Sequence, residues 1–212
     1  DNSFIWTSEK DGFNHIYLYD SAGKLKNQIT KGNWEVTAYY GYDAKTKSIL
    51  YQSTELGSIN RAVYKIDISG KNKQCLSAKN GTNAATFSPN FDYFIQSYSS
   101  ATQPTQYSLH DTKLGKLLKN IESNEALQNK LVSYKLGSKE FFVLKTAEGH
   151  ELNAWILKPA DFDPSRKYPL LMYQYSGPGS QQVNNDWNSS DDYWFQSLAQ
   201  QGYLVACVDG RG

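Results

Sequence analysis

A repeat of about 45 residues dominates the first half of the chain. Each copy is an apolar strand, a polar turn and a second strand, and the three copies read FIWTSEKDGFNHIYLYD (4–20), ILYQSTELGSINRAVYKID (49–67) and YFIQSYSSATQPTQYSLHD (93–111). Ser8, Ser53 and Ser97 hold the same place in each copy and are 45 and 44 residues apart. A period of this length is typical of the blades of a β-propeller.

Alternation of apolar and polar residues divides these repeats into strands. One predicted blade has strands at 36–43, 48–55, 61–67 and 73–77, and the next has strands at 84–88, 93–99, 105–110 and 116–121. Segment 4–30 supplies the last three strands of an earlier blade. A propeller closes with about 4–8 blades, so we expect further blades before Asp1. The alternative is a plain antiparallel meander without closure, which the regular spacing disfavours.

The apolar period changes after residue 121, where ESNEALQNKLVSYKL predicts a short helix. Ser123 or Asn124 can cap its start. The residues predicted to form its buried face are Ala126, Leu127, Leu131 and Tyr134. EFFVLKTAEGHELNAWILKP then predicts two strands joined by a turn, and His150 at that turn is interpreted as a solvated residue.

A strand, a helix and a second strand complete the chain. YPLLMYQY is a nearly continuous apolar run, typical of a strand covered on both faces. DDYWFQSLAQQGY predicts a helix that begins near Asp191 and Asp192, ends at Gly202, and buries Trp194, Phe195 and Leu198. YLVACVDGRG is the second buried strand. This order predicts a parallel βαβ unit, and therefore a change of fold class from the first half.

Composition excludes several partners. With 22 basic and 21 acidic residues the formal charge is +1, which gives no reason to expect nucleic acid or an anionic membrane. The longest apolar runs are far shorter than the roughly 20 residues that a membrane-spanning helix needs. Cys75 and Cys207 stand alone in apolar surroundings and are predicted to be core residues. No His, Asp or Glu spacing suggests a metal ion or another cofactor.

A propeller followed by the first strands of an α/β hydrolase resembles the prolyl oligopeptidase family. The segments that resemble its dipeptidyl peptidase IV branch, in the correct order, are FIWTSEKDGFNHIYLYD, ITKGNWEV, KYPLLMYQYSGPGSQ and VDGRG. The resemblance runs from Phe4 to Gly212. It implies the last two to three blades of an all-β, antiparallel β-propeller over 1–122 and the N-terminal part of an α/β hydrolase (peptidase) domain, incomplete, over 123–212.

Tyr175 is the candidate catalytic residue that the resemblance implies. In this family the tyrosine before the Gly-Pro turn donates its hydroxyl to the oxyanion of the tetrahedral intermediate. A phenol is a neutral donor at neutral pH, and a well-aimed oxyanion donor contributes roughly 3–4 kcal/mol in the transition state. Tyr175 also follows a predicted buried strand, where α/β sheets place their ligands. The alternative is a tyrosine that only packs on the turn, for which Tyr173 is the better candidate.

The other residues that such an enzyme needs are not found in these 212 residues. No G-x-S-x-G segment occurs, and Ser180 lacks the flanking glycines of a nucleophile elbow. The general-base histidine of an α/β hydrolase follows the nucleophile in the chain. None of the histidines of this sequence follows a nucleophile: His15, His110 and His150. We therefore expect the triad beyond Gly212. In this family a pair of glutamates binds the free amine of the substrate, and no pair in these 212 residues matches it. The substrate-binding residues are therefore unknown. Three other glutamates are interpreted as solvated charges at strand ends: Glu9, Glu35 and Glu55.

The resemblance implies part of a serine exopeptidase that releases N-terminal dipeptides with proline or alanine in the second position. Its substrates would be peptides with a free N-terminus, and this chain alone would be inactive. The resemblance further implies a homodimer and an extracytoplasmic location, periplasmic or at the cell surface. Two alternatives stay open: a related oligopeptidase or acylaminoacyl peptidase, and a propeller interaction protein whose hydrolase domain is degenerate.

Overall fold

The computed structural model describes residues 2–77, 80–175, 177, 179–187 and 189–211, with the backbone alone for residues 189 and 190. The chain divides into two compact units. The N-terminal unit comprises residues 1–99 and 105–123, and the C-terminal unit comprises residues 100–104 and 124–212. Neither of the helices that the structure describes is long and apolar enough to cross a membrane.

Within the described residues, the N-terminal unit consists of antiparallel sheets whose strands pair in sequence order. The first sheet contains β1 (Phe4–Ser8), β2 (His15–Tyr19) and β3 (Leu25–Gln28). The second contains β4 (Val36–Asp43), β5 (Ser48–Ser53), β6 (Ala62–Asp67) and β7 (Gln74–Cys75). The third contains β8 (Thr82–Phe87), β9 (Tyr93–Ser100), β10 (Gln103–Asp111) and β11 (Leu117–Glu122). The predicted strands are confirmed, and they form separate sheets.

The second sheet is covered on both faces, because successive side chains of a strand point in opposite directions. In β5, Ile49 and Tyr51 enter a core shared with the first sheet, whereas Leu50 enters a core shared with the third. The first core also contains Ile16, Ile29, Val36, Ala62, Tyr64 and Ile66. The second also contains Val63, Leu76 and Phe94. Each sheet thus buries a face against the next, as propeller blades do.

The two cysteines differ in burial. Cys207 is fully buried in the C-terminal unit, as predicted, but Cys75 is exposed, so that prediction is wrong. Cys75 lies in β7, a two-residue edge strand, and its thiol donates to the carbonyl of Ser77 at 3.1 Å. The next residue, Leu76, enters the core, and alternation along the chain therefore turns Cys75 outward.

The C-terminal unit contains one four-stranded mixed sheet among its described residues, in the order β12-β13-β15-β14. Its elements are α1 (Glu125–Val132), β12 (Ser138–Lys145), β13 (Glu151–Lys158), β14 (Leu170–Tyr173), α2 (Ser189–Gln200) and β15 (Leu204–Val208). The β12-β13 hairpin is antiparallel, whereas β14 and β15 are parallel and are joined by α2. The predicted hairpin and parallel βαβ unit are confirmed.

Helix α1 forms where it is predicted, but its predicted face is not buried. Leu127 and Leu131 are half-buried, and Ala126 and Tyr134 are exposed. Asn124 holds the N-cap position with a φ of 51°, and its side chain makes no capping hydrogen bond. A capping side chain needs an extended backbone at that position, which this left-handed conformation does not provide.

Helix α2 buries Phe195 and Ala199, whereas Trp194 is 55 % exposed and Leu198 is half-buried. The predicted face is therefore correct only for Phe195, because the buried stripe follows the i, i+4 pair that faces the sheet. The predicted end at Gly202 is confirmed. Its N–H donates to the carbonyl of Ala199 at 2.9 Å, and the N–H of residue 203 donates to that of Leu198 at 3.1 Å, which is a Schellman motif.

Strand β14 is not covered on both faces, so the prediction for this strand is wrong. Leu170 and Met172 are each 54 % exposed, while Leu171 and Tyr173 are half-buried. The exposure alternates along the strand, so the face that carries Leu170 and Met172 is only partly covered; among the described residues β14 also pairs with β15 alone. Strand β15, by contrast, lies between β13 and β14, and three of its five residues are buried.

Candidate functional site

Tyr175 lies two residues beyond the end of β14, and its side chain is 62 % exposed. Its ring lies against Gly177, where a Cβ atom would be 3.3 Å from Cζ and from the hydroxyl oxygen. The glycine therefore leaves room for the ring to lie close to the backbone that follows. Two residues of the predicted Gly-Pro turn, Ser176 and Pro178, lie outside the described residues.

Ser180 holds the backbone that carries Tyr175. Its hydroxyl donates to the carbonyl oxygen of Tyr175 at 2.9 Å, and its N–H donates to the carbonyl of Gly177 at 3.1 Å. The side chain of Ser180 therefore has a conformational role in the loop. We call the described residues of this segment, 174, 175, 177 and 179–183, the Tyr175 loop.

Asp209 ties the far end of the Tyr175 loop to the sheet. Its Oδ1 accepts a hydrogen bond from the N–H of Gln182 at 2.8 Å, and its Oδ2 accepts one from the N–H of Val183 at 3.0 Å. Its own N–H donates to the carbonyl of Asn153 at 3.0 Å. Sequence reasoning assigned no role to Asp209. Its only signal was its place in the VDGRG segment, directly after the second apolar strand.

Tyr173, named in the alternative interpretation, packs on α2 and contacts the Tyr175 loop. Its hydroxyl donates to Gln182 Oε1 at 3.0 Å, and its ring centroid is 5.2 Å from that of Phe195. Trp155 packs on the same phenylalanine at 5.5 Å and donates from Nε1 to the carbonyl of Gln182 at 3.3 Å. Gln182 therefore connects the Tyr175 loop to the aromatic core under α2.

Buried charge lies beside this aromatic core. Lys139 of β12 and Asp192 of α2 form an ion pair in which the side chains are only 10 % and 18 % exposed. The Lys139 ammonium is also 4.9 Å from the ring centroid of Trp155. The pKa of the Cys207 thiol is raised to about 11, chiefly by burial and secondly by the Asp209 carboxylate, with Lys139 opposing. This thiol is therefore neutral at neutral pH, and it is a poor nucleophile.

The histidines occupy structural or exposed positions. His15 is buried, with Nδ1 3.1 Å from the Thr30 hydroxyl and Nε2 3.0 Å from the carbonyl of Gly32. His110 has Nε2 2.9 Å from the Ser108 hydroxyl and Nδ1 3.0 Å from the carbonyl of residue 115. His150 is exposed on the β12-β13 turn, as predicted, and its Nε2 is 3.0 Å from the guanidinium of Arg211.

Of the glutamates predicted to be solvated, Glu9 and Glu35 are exposed, but Glu55 is not. The side chain of Glu55 is 13 % exposed and forms an ion pair with Lys73. It also accepts a hydrogen bond from the hydroxyl of Tyr51 at 3.3 Å. Burial, followed by this carboxylate, raises the pKa of Tyr51. The prediction for Glu55 is wrong because the buried tyrosine beneath it offers a donor that alternation along the strand does not reveal.

The described part of the chain contains no group of three or more His, Cys, Asp or Glu side chains arranged to hold a metal ion. The candidate site therefore consists of a tyrosine hydroxyl at a strand end, the loop that carries it, and the Asp209 carboxylate. Tyr173 of β14 is paired with Cys207 of β15 in the sheet. Tyr175 lies two residues after Tyr173, and Asp209 lies two residues after Cys207, so this pairing places the two site residues at the same level. Both residues follow the carboxyl ends of adjacent parallel strands, where α/β sheets bind ligands.

Comparisons with known proteins agree with this fold. Residues 1–105 match the family model described as Dipeptidyl peptidase IV (DPP IV) N-terminal region. Dipeptidyl peptidase 4 of Trichophyton rubrum is 38% identical over 216 residues, which cover 99% of this chain and 27% of that protein. Dipeptidyl peptidase 4 of Arthroderma otae shows the same identity and the same coverage.

A solved structure is similar to almost the whole chain. The crystal structure of Porphyromonas gingivalis dipeptidyl peptidase 4 matches with a TM-score of 0.92 and 52% sequence identity, covering 99% of this chain and 29% of that chain. The present chain thus spans only 27% of the length of the curated relatives named above. The sequence match, the fold match and the family model all point to one family, and the chain resembles dipeptidyl peptidase IV over almost its whole length.

Proposed function

We propose that this chain is part of a serine exopeptidase that removes dipeptides from the free N-terminus of peptides, with a preference for proline or alanine in the second position. In this proposal Tyr175 donates a hydrogen bond to the oxyanion of the tetrahedral intermediate. The names of the relatives support the reaction class. The position of Tyr175 supports its role.

The observation that carries the proposal is an exposed phenol held at the carboxyl end of a strand. Tyr175 is 62 % exposed, so its hydroxyl is accessible to a ligand. Its carbonyl is tied to Ser180, and the loop beyond is tied to Asp209. A donor that is fixed before the reaction begins stabilises developing negative charge without reorganisation, which is the requirement for an oxyanion donor.

The nucleophile and its general base are expected elsewhere in the protein. No G-x-S-x-G segment occurs in the 212 residues, and Ser180 holds its own loop. In α/β hydrolases the nucleophile, the acidic residue and the histidine follow one another later in the chain. On this proposal the 212-residue chain alone is inactive, because an oxyanion donor without a nucleophile leaves nothing to attack the carbonyl.

The two units of the fold can be assigned to the two domains that such an enzyme would contain. The antiparallel sheets of residues 1–122 would be the last two to three blades of a propeller, and the mixed sheet within residues 123–212 would be the start of an α/β hydrolase domain. The core on both faces of the second sheet and the β14-α2-β15 crossover support this assignment. A homodimeric enzyme and an extracytoplasmic location complete the proposal, and both come from the family resemblance.

The test compares the full-length protein that contains this sequence with its Tyr175→Phe variant, using Gly-Pro-p-nitroanilide as substrate. Loss of the hydroxyl should lower kcat by roughly 10²-fold or more, because the interaction is made only in the transition state. Tyr134→Phe is the matched control. Tyr134 is 50 % exposed in the same unit, and its hydroxyl has no assigned role, so kcat should not change. The isolated 212-residue chain should show no hydrolysis.

Each outcome has a distinct meaning. If the parent protein cleaves an acylated amino acid instead of Gly-Pro-p-nitroanilide, the proposed dipeptidyl peptidase activity is wrong and the related acylaminoacyl peptidase is favoured. A parent protein that cleaves neither substrate would favour an interaction protein. An active parent with an unaffected Tyr175→Phe variant would keep the enzyme but return Tyr175 to a packing role. Turnover by the isolated chain that a fluorophosphonate blocks would contradict the placement of the nucleophile.

A further inference from the structure

We propose that Asp209 is a positioning residue that fixes the Tyr175 loop and thereby sets where the Tyr175 hydroxyl points. The inference rests on the proposed function, since it assigns Asp209 a task in the same reaction. Asp209 is not proposed to touch the substrate. Its effect would pass through the backbone amides of Gln182 and Val183.

The register of the sheet brings Asp209 to the level of Tyr175. Strands β14 and β15 are parallel neighbours, and Tyr173 is paired with Cys207. Tyr175 and Asp209 each lie two residues further along, so both leave the sheet at the same edge. Two residues 34 positions apart in the sequence are thus placed beside the same loop.

Both oxygens of the Asp209 carboxylate are used to hold the loop. The N–H groups of Gln182 and Val183 donate to Oδ1 and Oδ2 at 2.8 Å and 3.0 Å. Hydrogen bonds to an ionised acceptor are stronger than those between neutral groups. Asp209 itself is held by its N–H, which donates to the carbonyl of Asn153 in the neighbouring strand β13. The carboxylate therefore joins the loop to a central part of the sheet.

A short series of contacts leads from Asp209 to Tyr175. Gln182 is fixed by the carboxylate, and two residues earlier Ser180 donates from its hydroxyl to the Tyr175 carbonyl at 2.9 Å. On the other side, Tyr175 follows β14 after one residue. The backbone that carries the phenol is therefore held from both directions. The phenol is 62 % exposed and its ring lies against Gly177 of the same loop, so its direction depends on that backbone.

The alternative is that Asp209 only stabilises its own turn, as many aspartates do. Asp163 is an example of that use, since its carboxylate accepts hydrogen bonds from the N–H and hydroxyl of Ser165, two residues away. The bonds of Asp209 instead reach residues 27 and 26 positions earlier. A carboxylate that caps its own turn has no such long-range partners, which favours a task in the Tyr175 loop.

The test measures kcat and KM of the full-length enzyme and its Asp209→Asn variant on Gly-Pro-p-nitroanilide, per active site titrated with a fluorophosphonate. The amide keeps the shape but turns one acceptor into a donor that faces a backbone N–H. A loop displacement of about 1 Å should lower kcat roughly 10- to 100-fold, with KM changed less than about threefold. Asp163→Asn is the matched control, and its kcat should equal that of the parent.

The decisive measurement repeats Asp209→Asn in a Tyr175→Phe background. If Asp209 acts through the Tyr175 hydroxyl, Asp209→Asn should lower kcat by less than about threefold in the Tyr175→Phe background. The reason is that the effects of groups that act as a unit are not additive. An unchanged kcat per titrated site, or the same fold loss in both backgrounds, would overturn the inference. If Tyr175→Phe alone leaves kcat unchanged, the proposed oxyanion role fails, and the role of Asp209 fails with it.

A second variant keeps the inference testable if Asp209→Asn does not fold. Ser180→Ala removes the next contact in the series, and that contact lies at the protein surface. It should lower kcat in the parent background and leave kcat nearly unchanged in the Tyr175→Phe background. An equal loss in both backgrounds would again point to a structural role only.

Discussion

The N-terminal and C-terminal units differ in the order in which their strands pair. In the N-terminal unit each strand pairs with the strand before or after it in the sequence, whereas in the C-terminal unit β15 lies between β13 and β14. Long-range side-chain contacts occur in both units: Gln196 contacts Gly137, 59 residues away, and the N–H of Ala85 donates to the hydroxyl of Tyr40, 45 residues away. The candidate site forms in the C-terminal unit. Distant residues meet there because a parallel crossover returns the chain to the same sheet edge.

The largest expected effects come from removing one buried ring in each unit. Phe94→Ala and Phe195→Ala should each lower the free energy of unfolding by about 3–5 kcal/mol, because the rings are nearly fully buried. Phe94 packs on Phe87 and His110, which have no part in the candidate site. Phe195 packs on Tyr173 and Trp155, which both bond to Gln182.

These two variants should therefore differ in activity. In the full-length enzyme, kcat per titrated site should fall for Phe195→Ala and stay constant for Phe94→Ala, while chemical denaturation reports similar destabilisation. An equal loss of kcat in both variants would mean that activity depends on the core of the N-terminal unit as much as on the aromatic core under α2. The two units would then not differ in their importance for activity.

Glycine replacements should give a smaller effect that is the same in both units. Gly12 in the β1-β2 turn and Gly202 after α2 have φ of 95° and 87°, and a Cβ atom would meet nothing within 4 Å at either position. Gly12→Ala and Gly202→Ala should each cost about 1–2 kcal/mol of unfolding free energy, from backbone strain alone. Gly81→Ala should cost more, because its Cβ would lie 2.3 Å from the Ser99 carbonyl oxygen. Chemical denaturation checks this order, and a cost at Gly81 no larger than at Gly12 would contradict it.

The smallest expected effect is the pH dependence of the N-terminal unit. Burial, followed by the hydrogen bond to Asp11, raises the pKa of Tyr17 from 10.0 to about 12. The unfolded chain releases this proton first, so the stabilisation is complete below pH 10 and is lost as the pH rises through about 12.

The measurement is the free energy of unfolding of the parent and of Tyr17→Phe between pH 8 and pH 12, and the parent should decline more steeply above about pH 10. Parallel curves for the two proteins would contradict the raised pKa. The corresponding group of the C-terminal unit is the Cys207 thiol, with a pKa of about 11. Cys207→Ala therefore extends the same comparison to the second unit.

Much of the fold could be predicted because it depends on neighbours in the sequence. Alternation and turn residues located the strands of the three antiparallel sheets, since hairpin pairing joins segments only a few residues apart. The same local signals located α2, its Gly202 end and the parallel β14-β15 pair. Burial was harder to predict: Cys75, Trp194 and Leu170 are exposed because edge position and helix rotation are set by the neighbouring elements.

The sequence by itself showed that a tyrosine follows an apolar strand, and the resemblance of the surrounding segments to the dipeptidyl peptidase IV branch made Tyr175 the candidate. Only the tertiary structure decided what holds it. The bonds from Gln182 and Val183 to Asp209 exist because the β14-α2-β15 crossover brings two strand ends together. Local patterns record which face of an element is apolar, but they do not record which distant backbone amides a carboxylate will meet. That partner depends on the register and order of strands in the sheet, which are settled by packing across the whole unit.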